Sequence, residues 1–458
     1  MLTKKSSKFW FTISTIWLCL ALITLSITPP SELPIWAFLI IFWFYGLFNI
    51  GVFIVSHIIK SEPKPPAINY NPHKPRVAVL YCCYNDFNEE ALQSLLNLSY
   101  DEKEIIIVDD STEKVIRNEI DHIATKYGIK VIRRQERKGW KAGAINNAIE
   151  KIDCDYVVLA DSDEMLPKDF IEQTLPYFNV PEVAFVQANH ECYNKENEWT
   201  RLLGVGVDLH WKHYQEYRNR YGLVQILGHG VIIRAEVLKR FKFPEVVSED
   251  LALTFILAQH GFRGVFAKDV ICKEAFPTNY SAFRRRHKKW CQGSAELIKQ
   301  YLFSFVCSKN VRWFEKLDAA LTTMNLPLTS LFPVFVVLST LIKPTCYSNP
   351  LLLAMSILTI VSPMLIFHDL KEGFWKNIKI ILINTLAYGS LFGLSIIYTL
   401  KGFLKANFLV TSDGSTLKNF DFTLVIDLLI GFMLNLVSFP NILGLLLIMS
   451  PILWLRYR

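Results

Sequence analysis

Two acidic motifs in this chain have the residue types and spacing to do chemistry. Asp161-Ser162-Asp163 closes the apolar run Tyr156-Val157-Val158-Leu159-Ala160. Two carboxylates at i and i+2 after a buried strand offer hard oxygen donors suited to Mg²⁺ or Mn²⁺. Glu249-Asp250 opens the stretch Leu251-Ala252-Leu253, and a carboxylate at the start of a helix can accept a proton. Together they imply transfer of a group from a phosphate-bearing donor at a membrane surface.

These residues need a scaffold. Val77-Ala78-Val79-Leu80-Tyr81-Cys82-Cys83 reads as a buried strand and runs into Tyr84-Asn85-Asp86. Residues 104–111 form a second strand-like run with Asp109 and Asp110 at its C-terminal end, and residues 129–132 a third. Helix-like stretches separate them, which predicts an α/β domain with a mostly parallel sheet. Ligands bind at the carboxyl ends of strands in such sheets. Tyr84, Asp109, Asp110, Asp161 and Asp163 all fall there. Arg137-Lys138-Gly139-Trp140-Lys141-Ala142-Gly143 then opens a helix. Its cations and glycines suit a diphosphate at a helix N-terminus.

The remainder is apolar. The apolar fraction is 51% and the mean hydropathy +0.25. Residues 9–27, 35–59, 326–342, 351–367, 378–400, 422–438 and 442–455 are apolar runs, and a span takes roughly 17–25 residues. Lys4, Lys5 and Lys8 precede the first run, and Lys60 and Lys64 follow the second, while residues 28–34 hold no Lys or Arg. This pattern predicts an uncleaved transmembrane hairpin over 1–60 in the plasma or inner membrane. A cytoplasmic domain follows over 61–310, with interfacial helices near 280–310. A multi-pass region covers 311–458.

Nine cysteines without a CxxC fit a reducing compartment and argue against zinc. The net charge of +7 suits anionic membrane lipids. No motif supports nucleic acid as a partner, and no Walker loop or GxGxxG supports a soluble nucleotide-binding module. A transporter with a regulatory domain is the non-enzyme alternative, but repeated halves are not evident, and the C-terminal apolar runs hold almost no charge apart from Lys379 and Asp427.

In order, the motifs resemble those of membrane-embedded family-two glycosyltransferases, the inverting GT-A enzymes that include cellulose, hyaluronan, chitin and poly-N-acetylglucosamine synthases. Tyr84-Asn85-Asp86 resembles their first nucleotide-binding loop, Asp109-Asp110 the pair that contacts the nucleoside, Lys141-Ala142-Gly143 the motif beside the diphosphate, and Asp161-Ser162-Asp163 the DxD metal motif. Gly228-His229-Gly230 resembles the acceptor-side loop. His229 there either touches substrate or shapes a turn. Ser248-Glu249-Asp250 resembles the motif that supplies the catalytic base. Arg286-His287-Lys288-Lys289-Trp290 resembles QxxRW, with arginine for glutamine and lysine for arginine.

The resemblance implies a Rossmann-like GT-A domain between transmembrane helices and a UDP-sugar donor of glucose or N-acetylglucosamine. Asp161 and Asp163 would hold the metal, with Tyr84, Asp109, Asp110, Lys141, Asp161 and Lys289 on the donor. Asp250 would be the base, with Glu249, His229 and Trp290 on the acceptor side. Residues 408–414 resemble a gating loop through Phe408, Val410 and Thr411. A gating loop must face the cytoplasm, so 378–400 is expected to lie in the interface and 401–420 inside. The product is expected to be a β-linked polymer made processively and secreted, with an accessory or secretion subunit as a possible partner. A single sugar added to a lipid acceptor is the alternative.

Overall fold

The computed structural model describes residues 6–58, 74–342, 350–368, 372–406, 421–437 and 441–457. Phe408, Val410 and Thr411 lie outside the described residues.

Eight strands form one sheet: β1 (Val77–Cys83), β2 (Lys103–Asp109), β3 (Lys130–Ile132), β4 (Tyr156–Asp161), β5 (Glu164–Met165), β6 (Val183–Cys192), β7 (Val231–Arg234) and β8 (Arg263–Glu274). Their spatial order is β3-β2-β1-β4-β7-β6-β8-β5. β3, β2, β1 and β4 are mutually parallel, as the alternating pattern predicts. Beyond β4 the sheet is mixed: β7 is antiparallel to both β4 and β6, β6 and β8 are parallel, and β5 is antiparallel to β8.

β1 is buried along its whole length. Successive side chains point to opposite faces. Ala78, Leu80 and Cys82 join one core with Ala144, Ile145 and Ala148, while Val77, Val79 and Tyr81 join the other with Leu92 and Leu95. Each fully buried aliphatic side chain is worth ~1.5–3 kcal/mol. The surface pairs Lys74–Asp101 and Arg76–Asp153 are exposed and contribute little beside that.

Ser6–Ile27 and Leu33–Ile58 are helices of 22 and 26 residues, and both contain segments long and apolar enough to cross a membrane. The later apolar runs are more broken than hydropathy predicts. The run 326–342 is divided between the helices Trp313–Ser330 and Phe332–Ile342, with Pro327 inside the first. Pro350–Leu365, Thr423–Val437 and Ile442–Arg456 have 16, 15 and 15 residues.

The segment 378–400 is not one continuous element. Phe374–Gly389 and Phe392–Lys405 are separate helices bent by 49°, a broken span or a re-entrant loop. Gly389-Ser390 sits at the break, and Gly/Ser pairs are a recognised cause of kinks. The Ser390 hydroxyl turns back to the Ala387 carbonyl at 2.7 Å.

The helix Tyr280–Leu297 packs on Phe392–Lys405 and Trp313–Ser330. Arg284, buried on this helix, donates to Asp427 at 3.1 Å, Asp421 at 3.0 Å and Ser450 at 2.6 Å, and also to Thr423. Lys288 pairs with Asp421 at 2.8 Å. One polar network therefore joins the α/β domain to the last two described helices.

Candidate active site

The carboxyl ends of β1, β2 and β4 open into a cavity of about 1450 Å³. Pockets for a single small ligand are typically ~300–1,000 Å³, so this one is large. Tyr84, Asp110, Lys141, Asp161, Asp163, His229, Glu249, Asp250, Lys289 and Trp290 all line it.

Asp109 does not line the cavity. It is buried and accepts from Arg133 Nε at 2.5 Å and from the Ser111 amide at 2.8 Å. It holds the end of β2 in place, whereas its neighbour Asp110 faces the cavity. Arg134 grips Asp110 with two hydrogen bonds of 2.8 and 2.6 Å. The Arg137 guanidinium lies 3.6 Å from the centre of the Tyr84 ring. Together these groups build a wall of a flat aromatic, a cation and a carboxylate.

The helix Trp140–Ile149 starts after Gly139, whose φ of +71° is left-handed. A side chain at Gly143 would come within 2.0 Å of the Lys138 carbonyl, so the tight entry requires glycine there. This turn aims Lys141 across the cavity. Its ammonium donates to Asp161 at 2.5 Å and to the Gly228 carbonyl at 3.0 Å.

Burial opposes ionisation of Asp161, but Lys141 and His229 outweigh it and hold its carboxyl below the usual range. Asp163 is pushed up to about 7, by burial first and then by the charges of Asp161 and Glu274. Asp86, beside Ser162, rises to about 6 through burial. Asp161 and Asp163 thus offer hard oxygen donors where repulsion between carboxylates favours a cation, which fits Mg²⁺ or Mn²⁺.

Asp250 lines the same cavity. A Cβ placed on Gly228 would be 3.4 Å from Asp250 Oδ2 and 4.0 Å from Lys141 Nζ. The base candidate therefore lies beside the Lys141–Asp161 pair. Burial raises the Asp250 carboxyl, and burial together with Asp250 pushes Glu249 up to about 7. Lys289 also acts on this pair and favours its ionised form. Trp290 lies 4.9 Å from the Arg286 guanidinium, and Arg286 pairs with Glu274 at 3.3 Å. The arginine in the altered QxxRW stretch thus ties Trp290 to β8.

His229 does more than shape a turn. Its ring stacks on His190 at 4.4 Å, and its nitrogens lie 3.1 Å from Glu164 and 3.9 Å from Glu274. Burial disfavours its cation, but Glu164 and Glu274 prevail and raise it to about 10. His190 is lowered to about 4 by burial and by His229. Glu164, His190 and His229 lie close enough together to hold a metal. However, the rings are only 10° from parallel, so their in-plane lone pairs do not converge. The group reads better as a charge network linking the DxD turn, β6, the Gly228–Gly230 loop and β8. Glu164, His190 and Glu274 escaped the sequence reading. Glu164 directly follows the DxD motif, and that position was the one available signal.

Residues 75–293 match the model described as glycosyltransferase like family 2. Over these residues, just under half of the chain, the α/β domain resembles a family-two glycosyltransferase domain, and this likeness supports enzyme activity. Among curated proteins, the chain is 30% identical over 225 residues to glucomannan 4-beta-mannosyltransferase 1 of Cyamopsis tetragonoloba, covering 46% of this chain and 43% of that protein. It is 28% identical over 244 residues to beta-monoglucosyldiacylglycerol synthase of Synechocystis sp., covering 50% of each. The chain spans about half the length of these relatives. Among solved structures, a mannosyltransferase from Pyrobaculum calidifontis aligns with a TM-score of 0.46 and 20% identity, over 73% of this chain and 99% of that one. The similarity thus extends to mannan-type and glycolipid-forming enzymes and does not single out the cellulose, hyaluronan and chitin synthases.

Proposed function

We propose that this protein transfers a hexose, with inversion, from a nucleoside diphosphate sugar to an acceptor hydroxyl presented from the membrane side. The observation that carries the reading is the approach of Asp250 to the Lys141–Asp161 pair across Gly228. It puts a proton acceptor beside the place where a donor diphosphate would leave.

Tyr84, Arg137 and Asp110 form the nucleoside wall, and Lys141 and Lys289 bring positive charge to the diphosphate. Asp161 and Asp163 would hold Mg²⁺ or Mn²⁺, which when bound offsets the charge of the leaving group. Asp250 takes the acceptor proton as the oxygen attacks the anomeric carbon from the face opposite the leaving group. Trp290, fixed by Arg286, offers a flat face to the acceptor sugar or headgroup. The two long N-terminal helices and the broken C-terminal helices hold the domain at the membrane, on the lysine-flanked side of the hairpin.

Polymer extension and single addition to a lipid share this chemistry, and the relatives named above include one enzyme of each kind. GDP-mannose stands beside UDP-glucose and UDP-N-acetylglucosamine as a donor candidate because of the mannosyltransferase relatives. The test is to offer each donor separately to the purified protein with Mg²⁺ or Mn²⁺, reading nucleoside diphosphate release and product size. Metal-dependent release from one donor, with a glycosylated product, supports the reading. Absence of release from every donor by folded protein in native lipid overturns it.

A further inference from the structure

We propose that Glu296 and Gly293 are positioning residues for Asp250, clamping residues 246–250 onto the helix Tyr280–Leu297 so that the base keeps a fixed place relative to Lys289 and Trp290. This rests on the glycosyl-transfer reading and adds to it two residues outside the cavity lining.

Asp250 stands in the first turn of the helix Glu249–Gln259, and its carboxylate accepts from the Leu251 amide at 2.8 Å. The aim of the base therefore follows the start of that helix. Ser248 occupies the N-cap position, where a serine side chain usually accepts from an amide two or three residues on. Here it makes no such bond, so it does not fix the helix start locally.

The neighbouring helix supplies the hold. Val247 is buried, and its amide donates to Glu296 Oε2 at 2.8 Å, a charge-assisted bond of the stronger kind. Ser248 lies against Gly293: a Cβ there would overlap the serine hydroxyl and lie 3.2 Å from Ser248 Cβ. Val246 and Ala252 join Leu297 in one buried cluster. All three contacts come from the C-terminal end of Tyr280–Leu297.

That helix also carries Lys289 and Trp290 into the cavity. Residues three, four and seven apart share one helix face, so Lys289, Gly293 and Glu296 stand in a row along it. Nearer its N-terminus the helix is tied down where Arg284 meets Asp421 and Asp427. Behind it, Phe392–Lys405 packs so close that a Cβ on Gly402 would lie 2.6 Å from the Gln292 carbonyl oxygen. The base and the acceptor-side aromatic are thus referenced to one braced element.

A general base works within hydrogen-bond reach of the proton it takes, about 2.6–3.2 Å. Misplacement by ~1 Å can cost ~10²-fold in rate. Releasing the clamp should slow the chemical step and spare the donor, since Tyr84, Asp110 and Lys141 stand on other elements.

The test uses the full chain in nanodiscs with Mn²⁺ and UDP-glucose, UDP-N-acetylglucosamine or GDP-mannose, taking the donor that the wild type turns over. Glu296→Ala should lower kcat by about 10²-fold and leave donor Kd within about twofold. Glu296→Gln should recover most of the rate, because its carboxamide oxygen accepts from the Val247 amide. Gly293→Ala should also lower kcat, and by much less once Ser248→Ala has removed the hydroxyl it meets. Hydrogen exchange over residues 246–252 should quicken in E296A and not in E296Q. Wild-type kcat in E296A, or E296Q no better than E296A, would overturn the proposal. Loss of donor binding together with kcat in E296A would mark a general structural role and overturn it too. If the wild type turns over none of the donors, faster exchange in E296A alone keeps the clamp and rejects the transfer, and unchanged exchange rejects both.

Discussion

The two halves of this molecule are held together by opposite means. The β3-β2-β1-β4 half is built from alternating apolar rows, and its charged groups sit at strand ends where the cavity begins. Where the domain meets the last helices, the fastening is a buried polar network on Arg284, with Asp427, Asp421, Thr423 and Ser450 around it. In an apolar surrounding, helices associate through close packing and interhelical polar contacts, and a buried charge network adds a fixed register to the packing here. In the proposed reading the first half turns most of its strand-end charges to substrate, with the Asp109–Arg133 pair as a structural exception, and the second uses its charges to fix position.

If that contrast is right, substitutions in the two halves should fail differently. Asp250→Asn should lower kcat by ~10²–10⁴-fold with donor Kd nearly unchanged, read by steady-state kinetics and calorimetry. The thermal unfolding temperature should not move.

Arg284→Met should do the reverse. Removing one partner of a buried ion pair costs roughly 3–5 kcal/mol because the other charge is left behind. Unfolding in detergent should shift sharply downward, and adding Asp427→Leu should recover part of the loss. Equal stability of the single and double variants would show that the network does not fasten the helices.

Asp163→Ala should weaken metal-supported donor binding by at least the roughly 10–100-fold typical of lost metal-site contacts, seen in Mn²⁺ titrations. Donor binding without metal should change little.

The smallest effect is a pH dependence. His229 is raised from its ordinary value near 6.5 to about 10, so its pairing with Glu164 and Glu274 stabilises the fold fully below pH 6.5 and fades as pH rises through about 10. His229→Gln should be less stable than the parent near neutral pH, and the gap should close in alkali. A gap independent of pH would remove the charge network from the account.

Much of the strand-end cluster was legible because its signals are local. Strand, acid and helix follow one another in sequence, so Asp110, Asp161 and Asp163 could be placed at strand ends. The same logic misplaced Asp109, since adjacent residues on a strand point to opposite sides and only one can face the ligand. The Glu164–His190–His229–Glu274 group was hidden because the pairing of β6 with β7 and β8 assembles it from distant segments. Arg284 stands at the start of a basic run expected on an interfacial helix, and only the packing of Tyr280–Leu297 reveals that this arginine is buried. Hydropathy treated 378–400 as one segment because it averages over Gly389-Ser390, although that pair was itself a sign of the bend.

The central claim is inverting transfer with Asp250 as base, and the anomeric configuration of the first product tests it most directly. Wild-type protein with an α-linked nucleotide sugar should give a β-linked product by NMR, and Asp250→Asn should give almost none over the same time. An α-linked product, or β-linked product formed by Asp250→Asn at the wild-type rate, would contradict the account.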